Sequence, residues 1–323
     1  MNISQALQAL NQTIASLEYG QRPAELYEPI RYMMALSGKR MRPLLTLLSA
    51  NIFTDDWQKA IKPAIAVEVF HNFTLMHDDI MDKAPLRRGQ PTVHTKWNEN
   101  IAILSGDVML VSAYDLLAEV DPGQLKQVLL RFNRCAAQVC EGQQWDMNFE
   151  QLDTVHEAEY LEMIQLKTAV LLGFSLELGG IIAGADETAT QLLNEAGTSI
   201  GIGFQLKDDL LDVFGEQEKF GKQVGGDIIA NKKTFLLIEA LEKAKGEQKQ
   251  ALDYWLNAPL FDKEEKVRAV TSIYNELNIR QLTEAKMNHF FALGLSCLDQ
   301  LIGDEGRKFL LRQFVEQLIH RES

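Results

Sequence analysis

The chain has 323 residues, 46% of them hydrophobic and 24% charged, which suits a packed globular core and excludes a disordered chain. A formal net charge of −13 argues against non-specific binding to nucleic acid or to an anionic membrane, so an anionic ligand would need a local basic pocket or metal ions. Cys135, Cys140 and Cys297 match neither a disulfide framework nor a zinc pattern, and point to a reducing cytoplasm.

The N-terminus, MNISQALQAL, has no basic head and no continuous apolar stretch, and reads as the start of a helix over 2–19, not as a signal peptide. Apolar residues then recur at three- and four-residue spacing. This predicts helices over 24–36, 42–52, 58–83, 100–120, 124–147, 154–182, 187–214, 232–245, 248–258, 262–292 and 294–320. Gly20, Gly38 with Pro43, the Pro85–Gly89–Pro91 tract and Asp121-Pro122-Gly123 punctuate the breaks. Ala169 to Ala185 is the most apolar run, but Glu177 and a Gly-Gly pair interrupt it, against a membrane span. No proline- or serine-rich linker divides the chain. The expected fold is all-α, one helical domain over 1–323 with its chemistry at one end of the bundle. The two longest breaks, 84–99 and 215–231, each begin directly after a cluster of aspartates.

Those clusters carry the chemistry. HDDIMD at 77–82 places Asp78, Asp79 and Asp82 at the end of an apolar helix, and FQLKDDLLD at 204–212 repeats the spacing with Asp208, Asp209 and Asp212. Residues four apart share a helix face, so Asp78 pairs with Asp82 and Asp208 with Asp212. Asp79 and Asp209 lie about 100° round the helix and suit supporting roles. A single such cluster is more often a solvated helix end. The repetition, with a basic loop after each copy, favours Mg²⁺, whose hard coordination shell takes carboxylates together with substrate phosphates. Glycoside hydrolysis needs one acid and one base, not six aspartates. Basic residues gather in the breaks: Lys39, Arg40 and Arg42 in SGKRMRP, Arg87 and Arg88 in LRRGQPT, Lys207 before the second cluster, and Lys222 and Lys232 after it. Such groups bind phosphate, arginine in bidentate fashion.

With these motifs in order, the chain resembles the trans-isoprenyl diphosphate synthases (polyprenyl synthetases) over about 35–235. HDDIMD with its downstream RRG resembles that family's first aspartate-rich motif, and GFQLKDDLLD followed by GKQVGGD and NKKT resembles the second. SGKRMRP resembles the family's GGKRLRP, with Ser37 in place of the first glycine, and LSGDVML and QLKTAVLL match as well. The resemblance implies an all-helical bundle with a central cavity. It also implies a Mg²⁺-dependent prenyltransferase that joins isopentenyl diphosphate head-to-tail to an allylic diphosphate, with about three Mg²⁺ ions around the diphosphate.

Carried over residue by residue, it gives Asp78, Asp79, Asp82, Asp208 and Asp212 to the metal. Arg87, Lys167, Thr168, Gln205, Lys222 and Lys232 go to the allylic diphosphate and the nascent cation, with Lys167 and Arg87 in the catalytic set. Lys39, Arg42, His71 and Arg88 go to isopentenyl diphosphate. Phe73, five residues before Asp78, followed by Thr74, resembles enzymes that stop at the C20 geranylgeranyl product; the C15 farnesyl product is the alternative. A terpene cyclase or a non-catalytic partner subunit are the other readings. A cyclase normally lacks a second cluster of the DDLLD type, and a silent subunit should have lost charges from one cluster. Homodimerisation and a cytoplasmic location are typical of the family.

Overall fold

The computed structural model describes residues 1–36, 38–215 and 225–320, and they are almost entirely helical. Ser37 and Lys222 lie outside the described residues. The chain divides into two compact units. The first comprises Met1–Asn133, Phe174–Asn194 and Leu301–Arg312; the second comprises Arg134–Gly173, Glu195–Gln300 and Gln313–Ser323.

In the first unit, α1 (Ile3–Ala15) opens on a reciprocal cap: the Asn2 side chain accepts from the Gln5 N–H at 2.9 Å, and Gln5 Oε1 accepts from the Asn2 N–H at 3.1 Å. α2 (Ala24–Ala35) and α3 (Met41–Phe53) follow, then a 3₁₀ turn at Trp57–Ala60 and the central α4 (Ile61–Met81). Nearly every residue of α4 from Pro63 to Phe73 is buried, as expected of a helix surrounded by others. A short antiparallel hairpin pairs Leu86–Arg87 (β1) with Gln90–Pro91 (β2), and leads through the single turn α5 (Val93–Lys96) into α6 (Glu99–Leu117). The sequence pattern does not forecast that hairpin, because two-residue strands are below the reach of any periodicity. α4 packs chiefly on α6 and α3.

Four further helices run on through the chain: α7 (Pro122–Phe149), α8 (Glu157–Ile164), α9 (Val170–Ile182) and α10 (Glu187–Phe214). Between α8 and α9 the predicted continuous helix widens into a π-helical turn over Gln165–Ala169. The whole Glu157–Ile182 stretch is long and apolar enough to cross a membrane by composition, but 78% of its most apolar window is buried within the protein, as for a core helix. Glu177 is buried there and pairs with Arg131 at 3.1 Å.

In the second unit, α11 (Gly226–Ile229), α12 (Phe235–Lys243), α13 (Glu247–Asn257), α14 (Lys263–Glu276) and α15 (Ile279–Asp299) follow; α16 (Glu305–His320) comes next, with residues in both units. Two predicted boundaries move. The helix expected over 262–292 stops at Glu276, because Asn278 takes a left-handed backbone (φ +56°) that an amide side chain tolerates. The break expected near 293 is absent. Gly294 sits mid-helix because a Cβ there would lie 2.6 Å from Ile200 Cγ1 and 2.9 Å from the Ala196 carbonyl of α10. The glycine marks close helix packing, not a chain break.

Candidate active site

The first acidic cluster occupies the last turn of α4 and its cap. Asp82 caps the helix, its N–H reaching the Asp78 carbonyl at 2.9 Å. Asp78 is half-buried and Asp82 exposed, whereas Asp79 is only 2% exposed. Both Asp79 oxygens accept from Arg87 Nε at 2.8 Å, and Arg87 Nη2 lies 2.7 Å from Asp79 Oδ1 and 3.6 Å from Asp78 Oδ2. Burial pushes the Asp79 carboxyl up, and Arg87 opposes that shift. Asp79 therefore anchors the hairpin arginine to the end of α4.

The neighbouring basic loop is arranged the same way. Arg40 (φ +47°) turns inward, its Nη1 2.6 Å from Glu68 Oε1 and its Nη2 donating to the Met34 carbonyl. Lys39 lies exposed beside it, and Arg42 donates to His71 Nε2 at 3.1 Å. Burial, then the Arg42, Arg88 and Arg87 guanidiniums, hold His71 well below the ordinary histidine range, so its ring is a neutral acceptor. Arg88 donates to the Leu36 carbonyl at 3.3 Å. The structure thus brings together four of the predicted residues, Arg42, His71, Arg87 and Arg88, within the first unit.

Phe73 is 9% exposed and stands one step above Phe70 (5.6 Å between ring centroids), with His77 on its other side at 4.7 Å. Phe70 continues into Phe132 at 5.1 Å, which meets Tyr114 and Phe174. Thr74 turns back, its hydroxyl donating to the His71 carbonyl.

The second unit repeats the logic. Asp208 is exposed at the end of α10, while Asp209 is 4% exposed and accepts from the Tyr160 hydroxyl and from Gln205 Nε2. Burial first, then the Asp227 carboxylate, raise Asp209 to about 7. Thr168 donates to Gln205 Oε1 at 3.2 Å, so Tyr160, Asp209, Gln205 and Thr168 form one chain of hydrogen bonds. Thr168 and Lys167 both sit on the π-helical turn, where Lys167 Nζ lies 2.5 Å from Asp146 Oδ2. α7 reaches that turn only because residue 142 is glycine: a Cβ would fall 2.1 Å from the Lys167 nitrogen. Asp212 accepts from the Asp227 N–H at 2.9 Å and its carbonyl from the Gly225 N–H, which ties α10 to α11. Lys232 is exposed in the turn after α11. Lys207 donates to the Ile319 carbonyl at the end of α16, so it serves that helix terminus.

Tyr160, Asp146 and Asp227 contact the predicted residues Asp209, Lys167 and Asp212, and the sequence pattern alone does not pick them out. A lone tyrosine or aspartate on a helix carries no signal until folding sets it beside a motif. Asp227 stands inside the GKQVGGD stretch, which was the available clue.

The donor set suits Mg²⁺. Among the described residues no group of three or more histidine, cysteine or acidic side chains forms a ready-made cage. Each cluster turns one aspartate inward and keeps a carboxylate pair, which is what a cation that retains waters and shares phosphate oxygens requires.

Comparison with known proteins gives the family. The polyprenyl synthetase family profile matches residues 23–277. The chain is 44% identical to a geranylgeranyl pyrophosphate synthase of Geoglobus acetivorans over 236 residues, 72% of this chain and 74% of that one. It is 36% identical to a geranylgeranyl diphosphate synthase of Methanosarcina mazei over 310 residues, 93% and 91% of the two chains. A crystal structure of a geranylgeranyl pyrophosphate synthase superposes with a TM-score of 0.94 at 41% identity, covering 100% of both chains. Two aspartate-rich helix ends, the basic hairpin and loop beside the first, and the match of profile and fold together place this chain in the polyprenyl synthetase family of trans-isoprenyl diphosphate synthases.

Proposed function

We propose that the protein condenses isopentenyl diphosphate head-to-tail with allylic diphosphates and releases the all-trans C20 product, geranylgeranyl diphosphate. The observation that carries this reading is the shared design of the two clusters. In each, the middle aspartate is buried and locked to a neighbour, Asp79 to Arg87 and Asp209 to Tyr160 and Gln205. The outer pairs, Asp78 with Asp82 and Asp208 with Asp212, are the ligands for Mg²⁺. Bound there, Mg²⁺ supplies Lewis-acid stabilisation of the leaving pyrophosphate.

The chain's own residues do the rest. Arg87, Lys167, Lys222 and Lys232 neutralise charge on the allylic diphosphate as the C–O bond breaks. The Thr168 and Gln205 oxygens, fixed by their mutual hydrogen bond, face the nascent cation with partial negative charge. Lys39, Arg42 and Arg88 hold isopentenyl diphosphate, and neutral His71 braces Arg42 without adding a competing positive charge. Phe73 with Thr74 limits the chain at C20, in keeping with the relatives' names. The single family profile runs through both compact units, which supports one catalytic domain over 1–323. The chain works as a cytoplasmic homodimer, for which the exposed apolar residues Ile103, Leu104 and Val111 of α6 are the support.

The test is incubation of the purified protein with Mg²⁺, isopentenyl diphosphate and each of the C5, C10 and C15 primers, followed by chromatography of the dephosphorylated products. A dominant C20 alcohol is expected, and no elongation of any primer would overturn the reading. Asp208→Ala should lower turnover by about three orders of magnitude with the helical content retained, because it removes a metal ligand while relieving like-charge repulsion. Near-normal turnover would remove the second cluster from the chemistry.

A further inference from the structure

Lys266 is a buried cation that the proposed chemistry does not use. It sits on α14 at 1% exposure, a placement that ordinarily demands a carboxylate partner. Its partners are instead an amide, a carbonyl and a ring: Nζ lies 2.6 Å from Asn231 Oδ1, 3.4 Å from the Ile229 carbonyl and 4.2 Å from the Phe261 centroid. A methionine of similar length would fill the space at less cost in desolvation. The cost therefore falls on a specific object, the turn over 229–234.

Backbone bonds close that turn, Asn231 N–H to the Ile228 carbonyl at 3.2 Å and Thr234 N–H to the Lys232 carbonyl at 2.8 Å, and the Asn231 side chain ties it to its surroundings. Asn231 stands in the left-handed region (φ +55°), which asparagine tolerates better than most residues with a side chain. Its side chain is fixed at both ends, Oδ1 by Lys266 and Nδ2 by donation to the Leu256 carbonyl at 3.0 Å. The next residue is Lys232, whose N–H reaches the Asp227 carbonyl at 2.9 Å and whose side chain is exposed. Asp227, Asn231, Lys232, Thr234, Lys266 and Tyr274 together line one small cavity under the turn.

From this geometry we infer that Lys266 is a positioning residue for Lys232: it clamps Asn231 in its left-handed conformation and so aims the Lys232 ammonium at the allylic diphosphate. The inference rests on the role proposed for Lys232. Lys266 touches no substrate, and its contribution runs wholly through the turn.

The experiment is a mutant cycle read on each substrate separately. Lys266→Met should raise the KM for the allylic diphosphate by about tenfold, the loss of one well-aimed charge-assisted contact, and leave the KM for isopentenyl diphosphate within about twofold. In a Lys232→Ala background the same change should have no further effect on the allylic KM. Asn231→Gly, which keeps the backbone conformation and deletes the clamp, should reproduce Lys266→Met and stands in for it if that variant does not fold. An equal rise in both KM values, a lowered Tm with both KM values unchanged, or an undiminished effect in Lys232→Ala would overturn the inference. A wild-type chain that elongates no primer is a different result: it would defeat the proposed function, and this inference with it.

Discussion

At the scale of single residues, the two inner aspartates differ in how burial is compensated. Asp79 has a guanidinium against both oxygens, whereas Asp209 has a phenol, an amide and another carboxylate nearby. Its carboxyl accordingly rises to about 7, against an ordinary value near 4. The sign of the consequence follows from linkage. Stability that is fully present below about pH 4, where folded and unfolded chains are both protonated, is lost as pH rises through about 7, because the folded state resists giving up its proton. Asp209→Asn should therefore unfold at a higher temperature than wild type at about pH 8, with the advantage shrinking to nothing near pH 4. Thermal melts in metal-free buffer would check this; an advantage that does not change with pH would contradict it.

At the scale of an element, α4 carries both the proposed metal ligand Asp78 and the proposed chain-length residue Phe73. Its last turn presents Asp78, and one and a half turns earlier Phe73 heads the aromatic series Phe70, Phe132 and Phe174. Phe73 thus packs between Phe70 and His77, and in the proposed role that packing would back its ring against a growing hydrocarbon chain. Phe73→Ala should open that packing and shift the product from C20 towards C25 and longer, with loss of stability of about 3 kcal/mol from the cavity. Chromatography of the product alcohols decides. An unchanged distribution from a folded variant would show that Phe73 serves only the core.

At the scale of the whole molecule, α6 leaves several large apolar side chains exposed. Its sequence is apolar enough for a membrane span, yet only 39% of that window is buried, and Leu104 and Val111 are 57% and 59% exposed at a seven-residue spacing that keeps them on one face. Exposed apolar stripes of this kind are usually interfaces. If a second copy covers this one, Leu104→Arg with Val111→Arg should halve the mass seen by light scattering during gel filtration. A double variant that keeps the wild-type mass would rule this face out as the interface.

Much of this was legible without coordinates. Helix periodicity is a local property, and it placed the long helices α4, α6, α7 and α10 within a few residues of their ends. The spacing of each aspartate cluster, at 100° per residue, set Asp79 and Asp209 apart from the outer pairs, and these are the two that the structure buries. Other features depended on residues distant in sequence. The helix boundary falls at Asn278 and not near 293, because packing against Ile200 makes a glycine necessary inside a helix at 294 while an asparagine bears the left-handed turn. The π-helical turn under Lys167, the Tyr160–Asp209 bond and the Lys266 clamp on Asn231 join residues 35 to 49 positions apart or depend on a facing glycine. Composition and period determine which faces must be buried. Only the tertiary structure decides which partner each buried polar group finds, because that choice belongs to the neighbour across the interface and not to the segment itself.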